Sequence, residues 1–229
     1  FIDGMRTAFG KYCGTLAQVS PTDLGIVASR AALQKCKISA ADIDQLIAAN
    51  IGQSSGDAYF LPRHIGLFTG LPLEVPALMV QRICGSGFET LITGAEQITL
   101  GKANAVLCTG TENMSLSPLV SFGNRMGFAL GRPVFKDMLW EALDDTAAGY
   151  PMGFTAENVA QRYNITRQEC DQFALLSFNR AIEAHEKKYF HEEITPVNSS
   201  VFEAEGLKTR KFRLPGGLKD FTMDEQVRA

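Results

Sequence analysis

Apolar positions recur along the first half of the chain at two spacings, one typical of helices and one of buried strands. Ser20-Pro21-Thr22-Asp23 predicts a helix start, because a capping serine, an early proline and an acid favour one. A further helix is predicted within residues 56–70 and another over residues 88–100. Short apolar runs predict strands at 46–51, 77–83 and 105–108. This order predicts an α/β domain with largely parallel strands over residues 1–115.

The second half of the chain has a different pattern. Residues 115–153 are rich in Met, Phe, Gly and Pro, and we expect loops there with one short helix at 137–143. Thr166-Arg167-Gln168-Glu169 is a capping box that predicts a helix, with strands at 193–197 and 209–214 after it. One face of that helix is predicted to carry Cys170, Phe173, Ala174, Ser177, Phe178, Ala181 and Ile182. Residues 116–229 are therefore predicted to form an insertion or second domain.

Composition excludes several classes of protein. The 229 residues are 45% hydrophobic and 21% charged with a net charge of −3, so we expect a globular protein that binds no nucleic acid. No apolar run reaches the roughly 20 residues of a membrane helix, and we expect no membrane partner. The five widely spaced cysteines contain no Cys-x-x-Cys and the three histidines are scattered, which argues against a disulfide framework or a metal site.

The two ends of the sequence resemble cut ends. The chain opens at Phe1 without an initiator Met, and Phe1-Ile2-Asp3 resembles the tail of a strand. The last residues carry no stop signal. We expect that the chain continues in both directions.

Cys84 is the main candidate for chemistry. A predicted strand runs into Cys84-Gly85-Ser86-Gly87 and a helix follows, so the thiol is expected at a helix N-terminus, where a thiolate is favoured and N–H groups stabilise an oxyanion. The glycines are expected to permit the tight turn. The alternative is an inert buried thiol, the usual role of a free cysteine.

The other four cysteines have no comparable context. Cys36 and Cys170 fall on helix faces and Cys108 in a core strand, so we expect packing roles for them. Cys13 lies in a loop, and its role is left open.

Gln81-Arg82-Ile83-Cys84-Gly85-Ser86-Gly87 resembles the acyl-accepting motif of thiolases, N-R-x-C-G-S-G, with Gln81 where Asn is usual. Further segments match that family in order along the whole chain, namely residues 6–10, 110–115, 152–158, 167–171 and 224–225. The resemblance implies a thiolase-like layered α/β/α half with an inserted α+β loop domain. It also implies that Cys84 attacks the keto carbonyl of a 3-ketoacyl-CoA and forms an acyl-enzyme.

CoA is then the co-substrate, and the resemblance implies no metal or organic cofactor. It also implies a homo-dimer or tetramer of the complete protein in the cytoplasm, or in the mitochondrial matrix of a eukaryote. Leu143, Met152 and Arg228 match positions that contact CoA in some members of the family. Core packing for Met152 and a solvated charge for Arg228 are the alternatives. Pro151 and residues 54–57 favour the degradative, mitochondrial type of 3-ketoacyl-CoA thiolase.

Three motifs that thiolases need are absent from the sequence. They are Gly-His-Pro, Cys-x-Gly-Gly-Gly and Asn-Glu-Ala-Phe, which supply the activating His, an acid/base Cys and a water-holding Asn. His64, His185 and His191 stand in no such motif. We expect that residues 1–115 are an incomplete N-terminal α/β domain, that 116–229 cover CoA, and that the C-terminal half is missing.

Two alternatives remain open. One is a non-catalytic thiolase-like fragment or module that binds CoA or a partner chain, which the missing motifs favour. The other is a ketoacyl synthase or a cysteine hydrolase with the same elbow. A synthase would need two His, or His and Asn, further along the chain, and Thr155-Ala156-Glu157-Asn158 argues against it.

Overall fold

The structure is a computed structural model that describes residues 1–128 and 130–227. The chain divides into two compact units. The core unit comprises Phe1–Leu116 and His191–Gln226, and the loop unit comprises Ser117–Phe190 with Val227. The first boundary lies between Leu116 and Ser117. The sequence predicts one domain over 116–229, but residues 191–226 belong to the core unit. A strand at Ile194–Thr195 ties them to it by pairing in parallel with a strand at Arg6–Thr7.

The regular elements of the described residues are numbered here in chain order. The α-helices are α1 (Pro21–Cys36), α2 (Leu61–Thr69), α3 (Ser86–Thr99), α4 (Met138–Glu141), α5 (Met152–Tyr163) and α6 (Arg167–Glu186). The first strands are β1 (Arg6–Thr7), β2 (Gln45–Ala49), β3 (Ala77–Met79), β4 (Val106–Gly110), β5 (Leu119–Val120), β6 (Lys136–Asp137) and β7 (Asp144–Asp145). The remaining strands are β8 (Tyr150–Pro151), β9 (Ile194–Thr195), β10 (Val197–Asn198), β11 (Ser200–Phe202), β12 (Arg210–Phe212) and β13 (Asp220–Phe221).

A parallel sheet in the order β3-β2-β4 forms the centre of the core unit. Leu46 of β2 pairs with Ala77 of β3 on one side and with Leu107 of β4 on the other. Leu46, Ile47 and Ala48 are fully buried, as expected for a parallel strand covered on both faces. Helices α1, α2 and α3 pack against this sheet. The predicted α/β class is confirmed.

Helix α3 lies unusually close to β4 because Gly94 has no side chain. A Cβ at Gly94 would lie only 2.8 Å from Sγ of Cys108 on β4. The Cys108 thiol in turn donates a hydrogen bond to the carbonyl of Thr90 at 3.2 Å. This contact fixes the first turns of α3 against the sheet, and the segment before α3 carries Cys84.

Several predicted element boundaries shift in the structure. The hydroxyl of Ser20 accepts the N–H of Asp23 at the start of α1, as the cap predicts. The strand predicted over 77–83 ends at Met79, because the chain then turns towards α3. That helix begins at Ser86, two residues before the predicted start.

An ion-pair network ties the β11–β12 hairpin to α1 and to the segment before α2. The guanidinium of Arg210 lies 2.9 Å from Oδ1 of Asp23 and 2.6 Å from Oδ2 of Asp57. Asp57 also contacts Nδ1 of His64 at 2.8 Å and accepts the hydroxyl proton of Ser55 at 2.7 Å. Burial alone would raise the pKa of Asp57, but His64, Ser55 and the charge of Arg210 outweigh it and hold the pKa at about 2.

The loop unit has no core of its own. No described residue of Ser117–Phe190 is buried. The capping box of Thr166 and Glu169 forms as predicted, but the face of α6 that carries Phe173 is exposed. Cys170 is exposed as well, so the packing role expected for it is wrong. None of the helices that the structure describes is both long and apolar enough to cross a membrane.

Candidate active site

Cys84 lies in the turn between β3 and α3. Gly85 caps the helix and Cys84 directly precedes that cap. The thiol is exposed, so the alternative of an inert buried cysteine does not apply. The predicted strand–turn–helix arrangement is present, and it places an accessible thiol beside the positive end of a 14-residue helix.

Backbone hydrogen bonds close the turn that carries Cys84. The N–H of Gly85 donates to the carbonyl of Arg82 at 3.0 Å, and the N–H of Ser86 donates to the carbonyl of Ile83 at 3.0 Å. Ile83 adopts a positive φ of 45°. That conformation is a genuine outlier for a β-branched residue and costs about 1–3 kcal/mol. The turn therefore holds a strained residue immediately before Cys84.

The glycines of the motif serve a different purpose from the one predicted. Gly85 has φ −83° and ψ 1°, which other residues also adopt, so the left-handed residue of the turn is Ile83. A Cβ at Gly85 would lie 3.3 Å from the carbonyl oxygen of Arg82. Gly87 lies near the end of β4, where a Cβ on Gly110 would be 3.6 Å from its Cα. Gly85 thus allows close backbone approach, whereas a Cβ at Gly87 would meet no atom within 4 Å.

Arg82 braces the outside of the turn. Its guanidinium bonds to Glu89 on the first turn of α3, and the hydrogen bond from Arg82 lowers the pKa of Glu89. The Arg82 side chain is 71% exposed. This arrangement matches a scaffold role for Arg82.

The polar turn after β4 joins the carboxyl ends of two strands. Glu112 accepts the N–H groups of Ile51 and Gly52, each at 2.9 Å, which follow β2. The amide of Asn113 donates to three backbone carbonyls of the loop before α1, including that of Val19 at 2.7 Å. Because β3 is parallel to these strands, its elbow leaves the sheet at this same edge.

The other cysteines of the core unit differ from Cys84. Burial raises the pKa of Cys108, whose thiol donates a hydrogen bond to the carbonyl of Thr90. Cys13 is exposed and has a positive φ of 55°. Among the described residues, no group of three or more His, Cys, Asp or Glu side chains is arranged to hold a metal ion.

The predicted CoA-binding residues of the loop unit lie at one hairpin. Leu143 precedes β7 and Met152 follows β8, and the carbonyl of Leu143 accepts the N–H of Met152 at 2.9 Å. Their side chains are 41% and 44% exposed, so core packing does not account for Met152. Arg228 lies outside the described residues.

Comparison with known proteins identifies the fold. The family model of the thiolase N-terminal domain matches residues 1–213. Mouse mitochondrial 3-ketoacyl-CoA thiolase is 43% identical over 97% of this chain and 53% of its own length. An acetyl-CoA acetyltransferase of Pseudomonas aeruginosa is 36% identical over 98% of this chain and 54% of its own.

Solved structures give the same result. Human mitochondrial 3-ketoacyl-CoA thiolase in complex with CoA superposes with a TM-score of 0.83 at 42% identity, covering 86% of this chain and 50% of that one. Acetyl-CoA acetyltransferase of Bacillus anthracis gives 0.86 at 31% identity, over 100% and 54% of the two chains. The chain spans about half the length of the relatives it matches. By sequence and by fold, it belongs to the thiolase family and carries its N-terminal domain.

Proposed function

We propose that the full-length protein carrying this chain is a thiolase-type acyltransferase in which Cys84 accepts the acyl group. The observation that carries this proposal is an exposed thiol at the start of α3, within the family's acyl-accepting motif. The relatives named above are 3-ketoacyl-CoA thiolases and acetyl-CoA acetyltransferases. The proposed substrates are 3-ketoacyl-CoA or acetoacetyl-CoA together with CoA.

In the proposed reaction the Cys84 thiolate attacks the keto carbon of the substrate. The bond between that carbon and the α-carbon breaks, and acetyl-CoA leaves as an enolate that takes up a proton. The thiol of CoA then attacks the acyl-Cys84 thioester, which releases a shortened acyl-CoA and returns the thiolate. This covalent route splits one difficult step into two. The activating His and the acid/base Cys are proposed to come from segments outside this chain.

CoA is proposed to serve as a co-substrate, without a metal or organic cofactor, and to contact Leu143, Met152 and Arg228. The human relative is described in complex with CoA. Leu143 and Met152 present partly exposed apolar side chains from the two ends of one hairpin. Leu143→Ser should raise KM for CoA without a matching loss of kcat, and an unchanged KM would remove Leu143 from this set.

We also propose a homo-dimer or tetramer, located in the cytoplasm or, in a eukaryote, in the mitochondrial matrix. The relatives with mitochondrial names support the second location. Light scattering on the full-length protein and subcellular fractionation test these two proposals.

Cys84→Ser is the direct test of the proposed role. Without a strong base a hydroxyl is a far weaker nucleophile than a thiol near neutral pH, so thiolysis of acetoacetyl-CoA by the full-length protein should fall to background. Cys13→Ser, which changes another exposed cysteine, should keep normal activity. Substantial thiolysis by Cys84→Ser would contradict the proposal.

The alternative is a thiolase-like module that binds CoA or a partner chain without catalysis. The 229 residues contain neither Gly-His-Pro nor Cys-x-Gly-Gly-Gly, and finding both motifs in the full-length protein would argue against this alternative. CoA binding by a full-length protein that shows no thiolysis would support this alternative.

A further inference from the structure

We propose that Ser86 is a positioning residue for Cys84, because its hydroxyl clamps both sides of the strained turn that presents the thiol. This inference rests on the proposed function, since it assigns a role in presenting the proposed nucleophile. Ser86 is the first residue of α3 and only 2% exposed.

The Ser86 hydroxyl makes two short hydrogen bonds to the turn. Its oxygen accepts the N–H of Arg82 at 2.6 Å and donates to the carbonyl of Ile83, also at 2.6 Å. These two hydrogen bonds, called the Ser86 clamp, hold the two residues that immediately precede Cys84. The Ser86 N–H reaches the same Ile83 carbonyl at 3.0 Å, so that carbonyl receives two donors.

The strain at Ile83 explains why such a clamp is needed. A φ of 45° is unfavourable for Ile83 because its side chain is β-branched. Such a backbone conformation persists only when the surrounding structure holds it in place. Ile83 is 57% exposed, so packing of its own side chain does little to enforce it. The burial of Ser86 fixes one end of the clamp to the body of the core unit. Loss of the hydroxyl should let the turn relax and move Cys84.

Ser86→Ala removes the clamp, and Thr90→Val is its matched control. Thr90 is equally buried at 2%, and among the described residues its hydroxyl bonds to the Gly87 carbonyl of the same helix alone. A misplacement of about 1 Å costs on the order of 100-fold in rate. In the full-length protein we expect Ser86→Ala to lower kcat about 10-fold or more. The KM of Ser86→Ala should stay close to the wild-type value, and so should the kcat of Thr90→Val.

A rescue experiment separates positioning from general destabilisation. Glycine adopts a positive φ without steric cost, whereas alanine does not. Adding Ile83→Gly to Ser86→Ala should therefore recover most of the lost kcat, and adding Ile83→Ala should not. Equal kcat values for the two double variants would overturn the proposed link between Ser86 and Ile83.

Should Ser86→Ala fail to fold, Ser86→Thr and Ser86→Val provide an isosteric pair that differs in the hydroxyl. The thiolysis rate of the threonine variant should exceed that of the valine variant about 10-fold. Equal rates in this pair, or wild-type rates in Ser86→Ala, would overturn the role of Ser86. An unreactive Cys84 in the wild-type protein would instead overturn the proposed function.

Discussion

At the scale of single residues, the position of Cys84 separates it from the other cysteines. It is exposed before the first turn of α3, whereas Cys108 is partly buried and donates its thiol proton to a carbonyl. The sequence predicts the place of Cys84, because glycines and a strand-to-helix transition mark it. It does not predict the Ser86 clamp, because the partners of that hydroxyl are backbone atoms whose positions only the folded turn defines.

The thiols should therefore react at different rates in the full-length protein. Limiting iodoacetamide followed by peptide mass mapping should find Cys84 modified first, ahead of Cys13, since its exposed thiol directly precedes the start of α3. Cys108 should react last, because burial raises its pKa and leaves less thiolate near neutral pH. Faster modification of Cys13 or Cys108 would contradict the assignment.

At the scale of elements, capping residues predict helix starts more reliably than apolar patterns predict strand ends. The caps at Ser20 and Thr166 both form as predicted. Helix α5 was not predicted, and it begins after Pro151 without any side-chain cap hydrogen bond. The Asp57–Arg210 pair was not predicted either, because the two residues lie 153 positions apart.

The Asp57 network makes the stability of the core unit dependent on pH. The folded-state pKa of Asp57, about 2, lies below its unfolded value of about 3.9, so the unfolded chain binds more protons between these values. The stabilisation is complete above about pH 4 and is lost as the pH falls through about 2.

Urea unfolding of Asp57→Asn measures this contribution. At pH 6 the variant should be less stable than wild type by about 2 kcal/mol, and the difference should shrink as the pH falls from about 4 towards 2. Asp42→Asn, at an exposed site of the same unit, should show no such trend. A pH-independent difference for Asp57→Asn would show that the Asp57 charge is not the cause.

At the scale of the whole molecule, the core unit exposes surfaces that isolated globular domains usually bury. Phe88 and Ile92, one turn apart on α3, are 75% and 52% exposed. A cleft of about 270 Å³ runs beside β4, lined by that strand, by α1 and α3, and by residues 1–5. Among the described residues, β4 pairs with β2 alone. The edge of the sheet at β4 is therefore open in the part of the chain that the structure describes.

The 229-residue chain expressed alone should have no thiolase activity and should associate. Apolar patches well above a few hundred Å² and an open strand edge both promote association. A general acid or base contributes about 100- to 10,000-fold, so loss of both should leave turnover near background. Size exclusion and a thiolysis assay with acetoacetyl-CoA check this. A clean monomer with the turnover of the full-length protein would show that the division of the active site is wrong.

Trapping the acyl-enzyme would show directly whether Cys84 carries the acyl group. The full-length protein is mixed with acetoacetyl-CoA without added CoA, quenched in acid, digested and mapped by mass spectrometry. We expect an acetyl group on the Cys84 peptide that hydroxylamine removes, and no acetyl group on that peptide in Cys84→Ser. An acyl group on Cys13 or another cysteine, or active thiolysis with Cys84 unmodified, would contradict it.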